Sequence, residues 1–378
     1  MNSFVQSWEN LDWDDITCRI HAQTAQDVER ALASETLSSG HLLALLSPAA
    51  EAYLEPLAQR AQALTRRRFG NTVNFYVPLY LSNLCANECT YCGFSMSNRI
   101  KRKTLDAEEI ERECQAIRAL GFNQLLLVTG EHQSKVGMDY FRQHIPAIRR
   151  HFSSLMMEVQ PLSQDNYAEL KFLGLDGVLV YQETYHPRTY AQHHLRGNKQ
   201  DFIFRLETPD RLGRSGIDKI GLGALTGLSP SWRTDCFMVA EHLQWLQQRY
   251  WQSRYSVSFP RLRPCAGGIE PASVMSEAQL VQTICAFRLF APETELSLST
   301  RESPHFRDNV VPLAINSISA FSKTQPGGYA DGQQELEQFA PHDNRSPDQV
   351  AQAMQRAGLQ PVWKDWDDYL GRRSQQNV

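Results

Sequence analysis

Leu84-Cys85-Ala86-Asn87-Glu88-Cys89-Thr90-Tyr91-Cys92-Gly93-Phe94 decides how this chain is read. It sets three thiols at C-x3-C-x2-C spacing directly after Val73 to Leu81, a strand-like run in which alternate residues are apolar. A loop of this kind is first a metal site. Three thiolates with no obvious fourth partner suit a [4Fe–4S] cluster that keeps one iron free, because closed zinc and electron-transfer sites take four protein ligands. A closed site stays open as the alternative: a Cys3His zinc site completed by His132 or His186, or a ferredoxin-like cluster completed by Cys114.

The rest of the composition narrows the class. At 378 residues the chain is long enough for one large α/β barrel with extensions, or for two ordinary domains. With 38 basic and 42 acidic residues the net charge is −4, so nothing draws the protein toward nucleic acid or an anionic membrane. A small-molecule substrate is expected. Eight irregularly spaced cysteines do not form a secreted disulfide pattern, and reduced thiolates call for a reducing compartment. The first residues lack a basic segment followed by an apolar one, and no run of about 18 apolar residues occurs. The expectation is a soluble, cytoplasmic protein.

Outward from the cysteine loop, residues 1–70 read as a helical N-terminal extension. Ser47-Pro48 is expected to cap a helix running from Ala49 to Arg67, with Arg66-Arg67-Arg68 matching the helix dipole and Gly70 stopping it. From Val73 short apolar strands alternate with amphipathic helices: strands at 73–81, 124–128, 155–159, 177–181, 218–223, 255–259, 295–299 and 312–318. Helices are expected at 107–120, 139–150, 164–173, 200–212, 235–252 and 277–290, with a short one near 304–309. Eight strand and helix units in about 250 residues fit an α/β fold of the (β/α)8 barrel type over 71–318, with an open doubly wound sheet as the alternative. Residues 319–378 read as a C-terminal extension packing on the barrel, with a helix near 347–357 and Trp363 and Trp366 as packing residues.

In such a barrel the side chains just past the C-terminal strand ends face the active site. Here those positions are polar and charged: Thr129-Gly130-Glu131, Gln182-Glu183, Arg261 and Arg263, Arg301-Glu302, and Ser317 and Ser319. A small anionic or zwitterionic molecule needs a cationic partner, and Arg301, with Ser317 or Ser319 across from it, is the group we choose for that role.

The cysteine spacing, with Tyr91 directly before the third thiol, resembles the signature of radical S-adenosylmethionine (SAM) enzymes. The resemblance implies a [4Fe–4S] cluster on Cys85, Cys89 and Cys92, whose free iron chelates SAM and whose electron cleaves the sulfonium to a 5′-deoxyadenosyl radical. It further implies that Thr129-Gly130-Glu131 meets the amino group of SAM and that Glu183 accepts from its ribose. Arg205 would pair with its carboxylate, and Gly221-Leu222-Gly223 would pass its adenine. A closer likeness is carried by Asn83 to Phe94, Gly130-Glu131-His132, Tyr181 to His186, Arg205 to Pro209, Arg261 to Pro264, Ser299 to Ser303 and Ser322 to Gly328. Together these resemble the 2-iminoacetate synthase family, the tyrosine lyases of thiamine thiazole biosynthesis, over essentially the whole chain.

That resemblance implies cleavage of the Cα–Cβ bond of L-tyrosine to 2-iminoacetate and p-cresol. It also implies a complex with thiazole synthase and electron supply from a flavodoxin or ferredoxin. Related hydrogenase-maturation enzymes carry a second cluster on C-terminal cysteines, whereas the last cysteine here is Cys285. Tryptophan lyases share the barrel and differ by product. A non-enzymatic iron–sulfur or zinc protein would close its metal site with a fourth protein ligand.

Overall fold

The structure is a computed structural model that describes residues 3–265, 267–330, 332 and 337–364. Its centre is a ring of eight parallel strands: β1 (Thr72–Ser82), β2 (Gln124–Thr129), β3 (Ser154–Glu158), β4 (Gly177–Leu179), β5 (Lys219–Gly223), β6 (Arg254–Ser258), β7 (Glu295–Leu298) and β8 (Ser317–Ser319). Neighbours in sequence are neighbours in the sheet, and β8 returns to pair with β1 through Asn74↔Ser317, Phe75↔Ile318 and Tyr76↔Ser319. The barrel is therefore closed, and the open doubly wound alternative is removed.

Side chains alternate between the two faces of each strand. On β1, Phe75, Val77, Leu79 and Leu81 join the apolar layer beneath the surrounding helices, while Tyr76 and Tyr80 belong to a separate interior cluster with Leu126, Val128, Met156 and Leu179. Barrel interiors are usually filled by bulky aliphatic side chains. Here the corresponding positions of β5 to β8 are the small residues Gly221, Gly223, Ser256, Ser258, Ser297, Ser317 and Ser319, which leave room for larger side chains from β1 and β4. The floor is closed by an ion pair, Lys219 Nζ to Glu295 at 2.6 Å, which Ser256 joins at 3.0 Å.

Several segments depart from the sequence expectations. Of the segment expected as a strand over 312–318, residues 312–314 belong instead to helix Pro304–Ala314, and the last strand starts five residues later than expected. Ser303 caps that helix by accepting from Phe306 N, Pro304 opens it, and β-branched Val310 and Val311 are buried on its inner face. The expected helix 200–212 is split into Phe202–Leu206 and Thr208–Arg214, with Pro209 in the first turn of the second piece. An unexpected helix, Pro187–His193, precedes them. Ser47 is no side-chain cap, because its hydroxyl donates to Ala44 O; the segment after it is a 3-10 turn, Pro48–Tyr53, leading into helix Leu54–Phe69. The arginine run does end that helix, and Gly70 closes it with φ +61.

Leu54–Phe69 packs on the barrel helices Glu277–Phe290 and Pro304–Ala314. At the far end β9 (Gln360–Val362) pairs with the base of β1, and Trp363 packs on Phe75 and Phe122 at ring-centroid distances of 4.8 and 5.2 Å. Trp366 lies outside the described residues. No helix among the described residues is long and apolar enough to cross a membrane.

Residues 341–345 are tied to the barrel by buried charge. Arg307 donates to Asp343 and to Ser319 O, and Arg345 donates to Asp343 at 2.9 Å and to Asp308 at 2.9 Å. Burial works against the Asp343 charge, yet the hydrogen bonds from Arg345 and the charge of Arg307 hold its carboxyl below the usual range. Removing one partner of a buried pair leaves the other charge uncompensated, a loss of about 3–5 kcal/mol. Asp343→Ala is expected to lower the free energy of unfolding, measured by denaturant titration, by that amount, while Lys171→Ala, whose partner Asp218 is on the surface, is expected to leave it nearly unchanged.

Candidate active site

The cysteine loop leaves β1 at Ser82 and is folded by its own polar groups. Arg102 donates to the carbonyls of Asn83, Phe94, Ser95 and Asn98 at 2.7–3.3 Å, and Asn83 bonds Lys101 O and Lys103 N at 2.9 and 2.7 Å. Cys89 N bonds Ser95 Oγ at 3.0 Å, and Glu88–Cys89 pairs with His194–Arg196. Two glycines let other backbone come close. A Cβ on Gly130 would lie 2.4 Å from Leu84 O, and one on Gly93 would lie 2.7 Å from Gln338 O.

The result is that Cys85, Cys89 and Cys92 line one cavity at the C-terminal end of the barrel. Burial pushes all three thiols above their ordinary range. Thiols so placed ionise when a metal takes the proton's place, the behaviour of a metal donor set. The proposed fourth ligands lie elsewhere. Cys114 is in the apolar layer, the His186 ring bonds Thr189 and stacks on Trp13, and His132 does not line the cavity. Cys265 is close by, but its thiol donates to Tyr91 O at 3.1 Å. A three-cysteine cluster with an open iron therefore fits this donor set better than a closed site.

Tyr91 lines the cavity and its hydroxyl lies 2.7 Å from His194 Nε2. His194 Nδ1 is 2.7 Å from Tyr190 O, so that nitrogen carries the proton and Nε2 accepts from the phenol. Burial pushes the His194 pKa down to about 2, keeping the ring neutral.

A charged wall follows β2 and β4. Glu131 accepts from Asn87 Nδ2 at 2.8 Å and from Arg205 Nη1 at 3.0 Å; Glu183 accepts from Lys199 Nζ at 2.7 Å and from Arg205 Nη2 at 3.4 Å. Arg205 Nε donates to Tyr181 O at 2.7 Å, so this helical arginine is a buried member of the wall and no solvated side chain. Burial opposes the Glu183 charge, but Lys199 and Arg205 hold its carboxyl below the usual range. Glu183 sits at φ +70, a left-handed conformation that costs a non-glycine residue on the order of 1 kcal/mol and is tolerated where surrounding contacts fix it. Thr129 Oγ1 is buried beside this wall without a hydrogen-bond partner among the described residues, as a site awaiting a polar ligand would be.

The opposite wall comes from β6 to β8 and the chain beyond. Ser258, Arg263, Ser299, Thr300, Arg301 and Ser319 line it. Glu302, the carboxylate next to Arg301, is bound by Arg261 instead, with Nε at 2.9 Å. Arg301 consequently has no ion pair among the described residues, and its guanidinium lies 3.5 Å over the Phe339 ring.

Of the residues singled out from the sequence, the structure brings together on this cavity Cys85, Cys89, Cys92, Tyr91, Thr129, Gly130, Glu131, Glu183, Arg205, Arg301 and Ser319. Three stand apart. Ser317 lies one layer deeper, and Gly221 and Gly223 are covered by other side chains: a Cβ on Gly221 would lie 2.4 Å from Leu179 Cγ, and one on Gly223 2.8 Å from Tyr181. These glycines make room for Leu179 and Tyr181. Arg263, expected at the strand end after β6, also lines the cavity, whereas sequence reasoning missed Asn87, Glu158, Lys199, Gln338 and Phe339, all of which line it. Glu158 carried a signal: it shares the parity of inward Met156.

Comparison with known proteins bears on what this cavity belongs to. The model of the radical SAM superfamily matches residues 79–235, and that of the biotin and thiamin synthesis associated domain matches 258–360. The chain is 76% identical over 375 residues to the 2-iminoacetate synthase of Salmonella typhimurium, covering 99% of this chain and 100% of that one. The 2-iminoacetate synthase of Escherichia coli is 75% identical over the same span. The chain belongs to the 2-iminoacetate synthase family.

As a 2-iminoacetate synthase family member it is a radical SAM enzyme, using a [4Fe–4S] cluster and SAM. The fold agrees with the crystal structure of HydG, a maturase of the [FeFe]-hydrogenase, at TM-score 0.83 and 29% identity over 95% of this chain and 78% of that one. Methylornithine synthase (PylB) shares the fold at TM-score 0.73 and 20% identity, over 89% of this chain and 97% of that one.

Proposed function

We infer that the protein is a radical SAM lyase that cleaves the Cα–Cβ bond of L-tyrosine to 2-iminoacetate and p-cresol, converting SAM to 5′-deoxyadenosine and methionine, for assembly of the thiazole of thiamine. The observation that carries this reading is the identity of 76% along 99% of the chain to a 2-iminoacetate synthase. The cavity agrees with it, joining three thiols to an arginine that makes no ion pair among the described residues.

In this reading Cys85, Cys89 and Cys92 hold the cluster. Thr129, Gly130, Glu131, Glu183 and Arg205 hold SAM, with Lys199 fixing the geometry of the two carboxylates. The cluster and SAM together supply a hydrogen-atom acceptor for the substrate amine. The chain's own task is to position one N–H and exclude other hydrogen donors. Arg301 binds the substrate carboxylate, with Ser319 beside it. Tyr76, Tyr80, Leu126, Val128, Leu179 and Tyr181 form a largely apolar chamber for the aromatic ring and keep water out.

2-Iminoacetate hydrolyses readily, so direct transfer to thiazole synthase is the partner relation we propose, through the N-terminal helices or the C-terminal extension. Undiminished co-purification of both truncated forms with thiazole synthase would remove that interface. Reducing equivalents come from a flavodoxin or ferredoxin. For the activity itself, anaerobic protein with reconstituted cluster, SAM and dithionite is expected to give p-cresol and 5′-deoxyadenosine from L-tyrosine and no aromatic fragment from L-tryptophan. Turnover of tryptophan in place of tyrosine would overturn the assignment.

A further inference from the structure

Glu158 is the last residue of β3 and the only carboxylate on the inner face of that strand. It lines the same cavity as Arg301, and among the described residues its carboxylate makes no hydrogen bond and no ion pair. Every other cavity-lining carboxylate is bound, Glu131 by Asn87 and Arg205, Glu183 by Lys199 and Arg205. An unpaired carboxylate and an unpaired guanidinium thus share one buried chamber, and each acts on the other's charge. An unpaired buried charge is costly, so both groups are kept for something that enters.

An α-amino acid brings that something in one piece. Its head group carries a carboxylate and an ammonium on neighbouring atoms, the charge pattern opposite to Arg301 and Glu158. We propose that Glu158 receives the α-ammonium group of the substrate and takes one proton from it, so that a neutral amine is presented for hydrogen-atom removal. The proposal rests on the tyrosine-lyase reading and adds to it the partner of the amine. In this step one N–H bond breaks heterolytically, its electron pair stays on nitrogen, and the proton forms an O–H bond on Glu158. The −1 and +1 charges become two neutral groups, so no charge is created in the buried chamber.

The surroundings suit such a transfer. Burial pushes the Glu158 carboxyl up to about 7; the Glu183 charge adds to this, while Arg301, Lys199 and Arg205 oppose it. Tyr76 and Tyr80 from β1 and Tyr181 beyond β4 also face it as neutral phenols. The raised Glu158 carboxyl lies closer to the titration range of a substrate ammonium than an ordinary glutamate does, so proton transfer to it runs less far uphill.

The test is equilibrium binding by anaerobic calorimetry to cluster-loaded protein with SAM, using four ligands: L-tyrosine, tyramine, 3-(4-hydroxyphenyl)propanoate and L-phenylalanine. In E158Q the ligands with an amine, L-tyrosine, tyramine and L-phenylalanine, are expected to weaken at least about tenfold, while 3-(4-hydroxyphenyl)propanoate binds as in the wild type. Wild-type affinity for tyrosine is expected to rise with pH through about 7, as Glu158 becomes charged, and E158Q to lose that rise. E158D is expected to keep the pH dependence, and unchanged cluster absorbance shows that each variant folds. If all three phenol ligands weaken and phenylalanine does not, Glu158 serves the phenol and the proposal is wrong. Unchanged tyrosine binding by E158Q, with wild type turning tyrosine over, overturns this inference alone; wild type that neither binds nor cleaves tyrosine overturns the lyase reading with it.

Discussion

Arg301→Ala is expected to abolish tyrosine cleavage, with kcat/KM lower by about 10³-fold, while cluster content and slow uncoupled conversion of SAM to 5′-deoxyadenosine persist. The magnitude follows from removing a buried charge that pairs with a carboxylate, an effect on the order of 2–5 kcal/mol. The separation of the two readouts follows from the geometry. Arg301 stands on the β7–β8 side of the cavity and rests on Phe339, whereas the thiols and the Glu131–Arg205–Glu183–Lys199 wall stand on the β1–β4 side. Because Glu302 is engaged by Arg261 and Arg301 makes no ion pair among the described residues, losing its guanidinium breaks no salt bridge, and the fold should be unaffected. Arg301→Lys restores the charge without the planar two-donor fork and is expected to recover only a small part of the activity. Near-normal p-cresol formation by Arg301→Ala would remove this residue from substrate binding.

Cys89→Ala is expected to have the larger effect on the cofactor. Cys89 is buried and its backbone is pinned by Ser95 and by pairing with the His194–Arg196 segment, so the loop cannot bring another thiol to the same point. Cys265 is the nearby alternative, but it lies against Tyr91 O. Reconstituted Cys89→Ala is therefore expected to hold little iron and form no 5′-deoxyadenosine at all, with or without tyrosine. Circular dichroism should stay like the wild type, because the barrel core lies in a separate apolar layer. Wild-type iron content in this variant would mean that the cluster sits elsewhere.

The barrel was readable because eight short apolar runs alternate with helices, and a period of two on each strand separates inward from outward residues. The last strand was expected too early, over 312–318, because Pro312 reads as a helix stop, yet the helix begun at Ser303 and Pro304 runs through Pro312 to Ala314. The cysteines and the polar strand ends were legible because they are consecutive or occur at fixed places relative to strands. Lys199, Gln338 and Phe339 were not, since each reaches the cavity from a segment with no strand-end position, and only closure of the tertiary structure brings them there. Gln338 bonds Tyr80 at 2.7 Å and approaches Cys92 Sγ at 3.8 Å from 246 residues away. Gly221 and Gly223 misled in the other direction: close packing by Leu179 and Tyr181 demands a missing side chain as firmly as a ligand would.

Activity depends on three protein thiols holding a four-iron cluster. Mössbauer and electron paramagnetic resonance spectra of the anaerobic protein, recorded before and after adding SAM, test this directly. The expected result is one iron site distinct from the other three whose signals shift when SAM is added. Four equivalent, fully protein-ligated irons with spectra indifferent to SAM, or a mononuclear tetrahedral site, would contradict it.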